Sequence, residues 1–281
     1  SAINVLEKGI KSSPDSTALS EFLSALYLKE GEYDKACEHA VSEFTKIKSL
    51  LMKGDNDEAF KLLSTVEDKT NINYPALMAE YYFNLKDWDN CRKYIEDFKN
   101  LDNQNPLVYQ MSALVCDETG DGFGYHYNMG RCYSFKQDYE HALVEYLNAH
   151  RIDPSKSEAI KEIIKINEAK GDKTSLMEFY EKLVRREPDN PIALKGLGDA
   201  YFDLYELREA CEYYERAVKA APSDYEIYPK LGQCYEKMKR TAQAAEAYEK
   251  YVEKAPLSPD TEKMKEKIAK LKVTPGDNDS S

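Results

Sequence analysis

"LGDAYFDLYELREACEYYERAVKAAP", Leu197 to Pro222, and "LGQCYEKMKRTAQAAEAYEKYVEKAP", Leu231 to Pro256, are one pattern written twice, 34 residues apart. In the first copy Leu194, Leu197, Gly198 and Tyr201 share one face of a helix, and Ala210, Tyr214 and Ala217 share one face of a second. Pro222, which cannot continue a helix, closes the unit. The second copy matches with Tyr228, Leu231, Gly232, Tyr235, Ala244, Tyr248, Tyr251 and Pro256. Upstream, His126, Met129, Gly130, Tyr133, Ala142, Tyr146, Ala149 and Pro154 fall in the same phase. The pattern predicts helical hairpins: small Gly and Ala where two helices cross closely, bulky Tyr and Leu filling the space between them.

These residues resemble the tetratricopeptide repeat family, whose unit reads W-x2-L-G-x2-Y, then A-x3-F, then P. The resemblance implies an all-α fold, a right-handed superhelical solenoid of antiparallel helix pairs. It also implies a concave groove, lined by the first helix of each pair, in which an extended or helical peptide lies.

Four in-phase units are expected over 123–258, although Ser157–Asn190 carries Ile164 in the Gly position and Asn167 in the Tyr position. Residues 1–122 read as degenerate repeats that enter the pattern midway through a unit. Residues 259–272 read as a charged amphipathic capping helix and 273–281 as a disordered tail. The rhythm breaks at two places. The 34-residue period predicts that roughly 17 residues are missing after Asp121 and about 11 near Ala40. The alternative is a true irregularity of the repeat, such as one fused helix from Tyr33 to Met52.

Composition narrows the function. There are 51 acidic against 39 basic side chains, an excess that argues against nucleic acid, which needs a basic face to displace phosphate counterions. No apolar run is long enough to cross a bilayer. The six cysteines are scattered, with no Cys-x-x-Cys pair, which points to reduced thiols and a cytoplasmic setting. No signal peptide is visible, which decides nothing for a chain that enters mid-unit.

No catalytic, cofactor or metal site is expected. Cys37 and His39 lack the further ligands of a tetrahedral zinc site. "DNDE", Asp55–Glu58, lacks the glycine and distant glutamate of a calcium loop and reads as a helix N-terminus. Most of the 22 tyrosines recur at packing positions of the unit and are core filler rather than a stacking platform for bases.

Function therefore rests on the groove. Its positions select Tyr127, Asn128, Arg131 and Phe135 in the first in-phase unit, and Lys161 and Lys165 in the second. Lys195, Asp199 and Phe202 follow in the third, Lys230 and Gln233 in the fourth. Tyr127, Arg131 and Phe135 form an aromatic stripe around a guanidinium, a composition enriched in interface hot spots; packing against the helix suspected to be missing after Asp121 is the rival reading. Some family members clamp a C-terminal carboxylate with a fixed Lys and Asn set. Here Lys165 and Gly196 replace the asparagines and Glu226 a lysine, so that specificity is not carried over. The expected function is a non-catalytic module binding a protein or peptide partner. The alternatives are the scaffold region of a larger enzyme and a self-associating structural protein.

Overall fold

A computed structural model describes residues 2–171 and 173–273, with no side-chain description at 172–174 or 273. The expected disordered tail, apart from the last helical residue, lies outside the described residues. Seventeen helices and no strand occur among them. They divide into two compact units, Ser1–Ile152 and Asp153–Ser281. The division falls after residue 152.

The first unit contains α1 (Ala2–Ser12), α2 (Thr17–Glu30), α3 (Tyr33–His39), α4 (Glu43–Lys53), α5 (Asn56–Thr65), α6 (Asn73–Asn84), α7 (Trp88–Leu101), α8 (Pro106–Glu118), α9 (Gly122–Phe135) and α10 (Tyr139–Ile152). Each hairpin buries a strip between its two helices: Leu23, Tyr27 and Ala36 in one; Ile47, Leu51, Ala59 and Leu63 in the next; Ala79, Cys91, Ile95 and Phe98 in the third. Local chemistry sets the helix starts. Asn105 caps α8 by accepting from the Leu107 N–H at 3.1 Å, with Pro106 in the first turn, where its missing N–H costs nothing. Asp121 caps α9 by accepting from the Gly124 N–H at 2.9 Å.

The two breaks in rhythm take definite forms. Residues 40–42 separate α3 from α4, so no fused helix runs from Tyr33 to Met52. After α8 the chain turns at Gly120, φ +75°, and enters α9 at once. α9 then packs along both α8 and α10. It serves as the second helix of one hairpin and the first of the next.

The second unit contains α11 (Glu158–Lys170), α12 (Lys173–Arg186), α13 (Pro191–Asp203), α14 (Leu207–Ala220), α15 (Ile227–Lys237), α16 (Thr241–Lys254) and α17 (Thr261–Val273). Here the glycine of the pattern shows its purpose. A Cβ at Gly198 would stand 2.6 Å from the Tyr214 ring, and one at Gly232 would clash equally with Tyr248. The bare backbone is what lets a fully buried tyrosine lie flat on the neighbouring helix. Gly130 and Tyr146 make the same contact in the first unit. Where Ile164 fills the glycine position, Tyr180 lies instead against Gly196 of α13. α17 covers the last face, burying Met264 beside α16 with Ile268 and Leu271 packed on the same core.

The turn between the helices of a pair needs a left-handed residue. Glycine supplies it at Gly31 and Gly171, whereas Lys86, Gln137, Tyr205 and Lys239 adopt φ of 57–64° at the equivalent position. Among the described residues no helix is long and apolar enough to cross a membrane.

Candidate protein-binding site

In the second unit, first helices α11, α13 and α15 and second helices α12 and α14 surround a pocket of about 440 Å³. Of the groove residues expected from sequence, Asp199, Phe202, Lys230 and Gln233 line it, beside Glu168, Tyr180, Gly196 and Tyr214. The fully buried Tyr214 donates its hydroxyl to Asp199 Oδ1 at 2.5 Å, and Lys230 Nζ reaches the same oxygen at 2.6 Å. Burial, and then this bond to a carboxylate, push the Tyr214 phenol far above its ordinary range, so it stays a donor. Tyr180 holds Glu168 Oε1 in the same way at 2.5 Å.

The lysine stripe is brought together with acids rather than left open. Lys161 pairs with Glu187 at 2.7 Å, Lys165 with Glu162 at 2.8 Å and Lys195 with Glu226 at 3.4 Å. Burial alone would raise the Glu187 carboxyl; hydrogen bonds from Lys161, Ser157 and Asn190 instead hold it at about 2. Lys161, Lys165 and Lys195 lie outside the pocket lining.

The aromatic stripe of α9 faces its own molecule. The Arg131 guanidinium sits 4.3 Å from the Tyr109 ring centre, and Phe135 stacks on that ring at 5.0 Å. Tyr127 stacks on Phe123 at 5.8 Å and leans on Tyr146. Asn128 donates to the Gly124 carbonyl at 2.9 Å. All four side chains are half-buried. Arg131 and Phe135 thus pack on α8, and Tyr127 on α9 itself and α10.

A larger concavity, about 750 Å³, lies in the first unit, chiefly on α2, α4, α6 and α8. Leu28, Met52, Phe83, Leu107, Met111 and Leu114 give it an apolar lining. The charges on its walls are already answered. Lys48 pairs with Glu80, while Glu21 accepts from Thr45 and from the Val41 and Ser42 N–H groups at 2.8 and 3.1 Å. Sequence reasoning passed over these residues. Yet they occupy the same groove positions of the 34-residue unit that picked out the second unit's stripe, counted from Thr17, Ala40, Ile72 and Pro106.

Family models of the tetratricopeptide repeat match residues 123–156, 179–225 and 203–259. Those stretches are tetratricopeptide repeats. Among solved structures, the chain is similar to MamA protein at 22% identity and TM-score 0.46, over 58% of its own length and 98% of the other. It is also similar to the APC/C hetero-tetramer Cut9–Hcn1 at 12% identity and TM-score 0.42, over 96% of its own length and 58% of the other. No curated protein matches it. Tetratricopeptide repeats are protein-interaction scaffolds, and this chain has that architecture in both units.

Proposed function

We propose that the chain is a non-catalytic scaffold that holds a segment of a partner protein along the apolar trough of its first unit. The observation that carries this reading is the trough itself. Its floor is apolar, and Met52, Leu107 and Leu114 are each more than two-fifths exposed. An apolar surface in a concavity is the usual mark of a docking site. The pocket of the second unit, with Asp199, Phe202, Lys230 and Gln233, offers a smaller polar contact to the same or another segment. The six free thiols support a reducing compartment such as the cytoplasm.

Affinity capture with the wild-type chain, with Met52→Lys/Met111→Lys and with Lys230→Glu/Gln233→Lys tests the assignment. The expected result is loss of the specific partner with the first double variant and a smaller reduction with the second. Identical partner profiles for all three folded baits would remove both concavities as binding surfaces.

A further inference from the structure

The outer face of α10 departs from the second helices of the other unit. Its exposed positions Val144 and Leu147 correspond in the 34-residue period to Glu178 and Glu181 on α12, Glu212 and Glu215 on α14, and Glu246 and Glu249 on α16. Three helices carry a pair of carboxylates there; α10 carries two aliphatic side chains, 55% and 44% exposed. Neither lines the trough.

Glu140 and Arg151, both exposed, extend this strip at its two ends. The four residues fall at spacings of four, three and four, so they form one stripe on the helix, and the stripe is a palindrome of chemistry. Laid against a copy of itself running the other way, Val144 meets Leu147 and Glu140 meets Arg151, each pair occurring twice. The Arg151 guanidinium donates to Asn148 Oδ1 at 2.8 Å, one of five N–H groups, which leaves donors for a carboxylate across the contact. Self-complementarity of one patch is the requirement of a two-fold interface. Spacings of four and three are those of a helix seam in which knobs fit holes.

We propose that a second copy of this chain docks antiparallel on α10, through Val144 and Leu147 with Glu140–Arg151 pairs at both ends. One helix on one helix falls short of the roughly 800 Å² per partner of a standard interface, so the dimer is expected to be weak.

Sedimentation velocity of the full chain from about 10 µM to about 1 mM tests this. Wild type should show association that rises with concentration. Val144→Glu/Leu147→Glu should weaken it at least tenfold. Glu140→Arg and Arg151→Glu should each reduce association. The double variant Glu140→Arg/Arg151→Glu should restore it, and so should an equimolar mixture of the two single variants, because each end then pairs opposite charges. Far-UV melting curves check that each variant is folded, with Val144→Ser/Leu147→Ser as the milder substitute. A wild-type chain that stays monomeric throughout overturns the proposal. So does association indifferent to the aliphatic pair, or a mixture that associates no better than its components.

Discussion

The trough of the first unit and the pocket of the second are built on the same periodic frame and differ in lining, the second mixing charged with apolar side chains where the first is mainly apolar. In the first, degenerate repeats place Leu28, Met52, Phe83 and Leu114 toward the concavity. In the second, regular repeats place Asp199, Lys230 and Gln233 there, with further lysines closed off by Glu187 and Glu226. The difference teaches that regularity belongs to the contacts between helices. Groove positions meet neighbouring helices through polar side-chain tips, as Lys230 meets Asp199, and tolerate exchange of residue type, whereas Gly198 and Tyr214 are tied to one another by backbone packing.

That contrast can be broken most forcefully at the glycine–tyrosine contacts. Gly198→Val should drive a side chain into the Tyr214 ring, which is fully buried and anchored to Asp199. A loss of about 3 kcal/mol or more is expected in urea unfolding followed by circular dichroism. A loss below about 1 kcal/mol would mean the ring has room to move and that the regular repeats owe little to this contact.

A smaller effect is expected at Glu187, which ties α11 to the end of α12. Its folded-state pKa of about 2 lies below the ordinary 4.5, so the ionised group stabilises the fold above about pH 4.5. That stabilisation fades as the pH falls toward 2. With solvent screening allowed for, Glu187→Gln should cost about 1 kcal/mol at pH 7 and almost nothing near pH 2. A cost independent of pH would show that the carboxylate's charge is not what the contact uses.

The smallest effect concerns the left-handed turn. Tyr205 is exposed and adopts φ 64°, where a side chain is strained, so Tyr205→Gly should stabilise by about 0.5 kcal/mol after the entropy of the unfolded chain is counted. Gly171→Ala, at the same turn one unit earlier, should destabilise by about 1 kcal/mol. Chemical denaturation of the pair would sharpen the comparison between turns that use glycine and turns that do not.

The hairpins were legible because their packing residues recur at fixed intervals: Leu197, Gly198 and Tyr214 announce a helix pair before any coordinates are seen. The pocket residues Asp199, Phe202, Lys230 and Gln233 were legible for the same reason, since their positions are fixed by the frame. The direction taken by Arg131 and Phe135 was not, because it depends on Tyr109, in a neighbouring unit whose phase is broken two residues before α9. The trough could have been read from the same frame: Leu28 and Phe83 sit at groove positions counted from Thr17 and Ile72, Pro106 follows Ile72 by one 34-residue period, and only Met52 needs Ala40 recognised as a fresh start. Ion pairing of the lysines was hidden, because Lys195 meets Glu226 across helices, at a sequence distance no local pattern reports.

α9 has a practical meaning for anyone dividing this molecule. Because it is a party wall, leaned on by α8 from one side and α10 from the other, a cut before Gly122 strips it of α8 and leaves one of its two packed faces bare. The core shared by Val108, Tyr109, Val115 and Cys132 would be opened to water. A fragment intended to stand alone should keep α8, α9 and α10 together and end beyond Ile152.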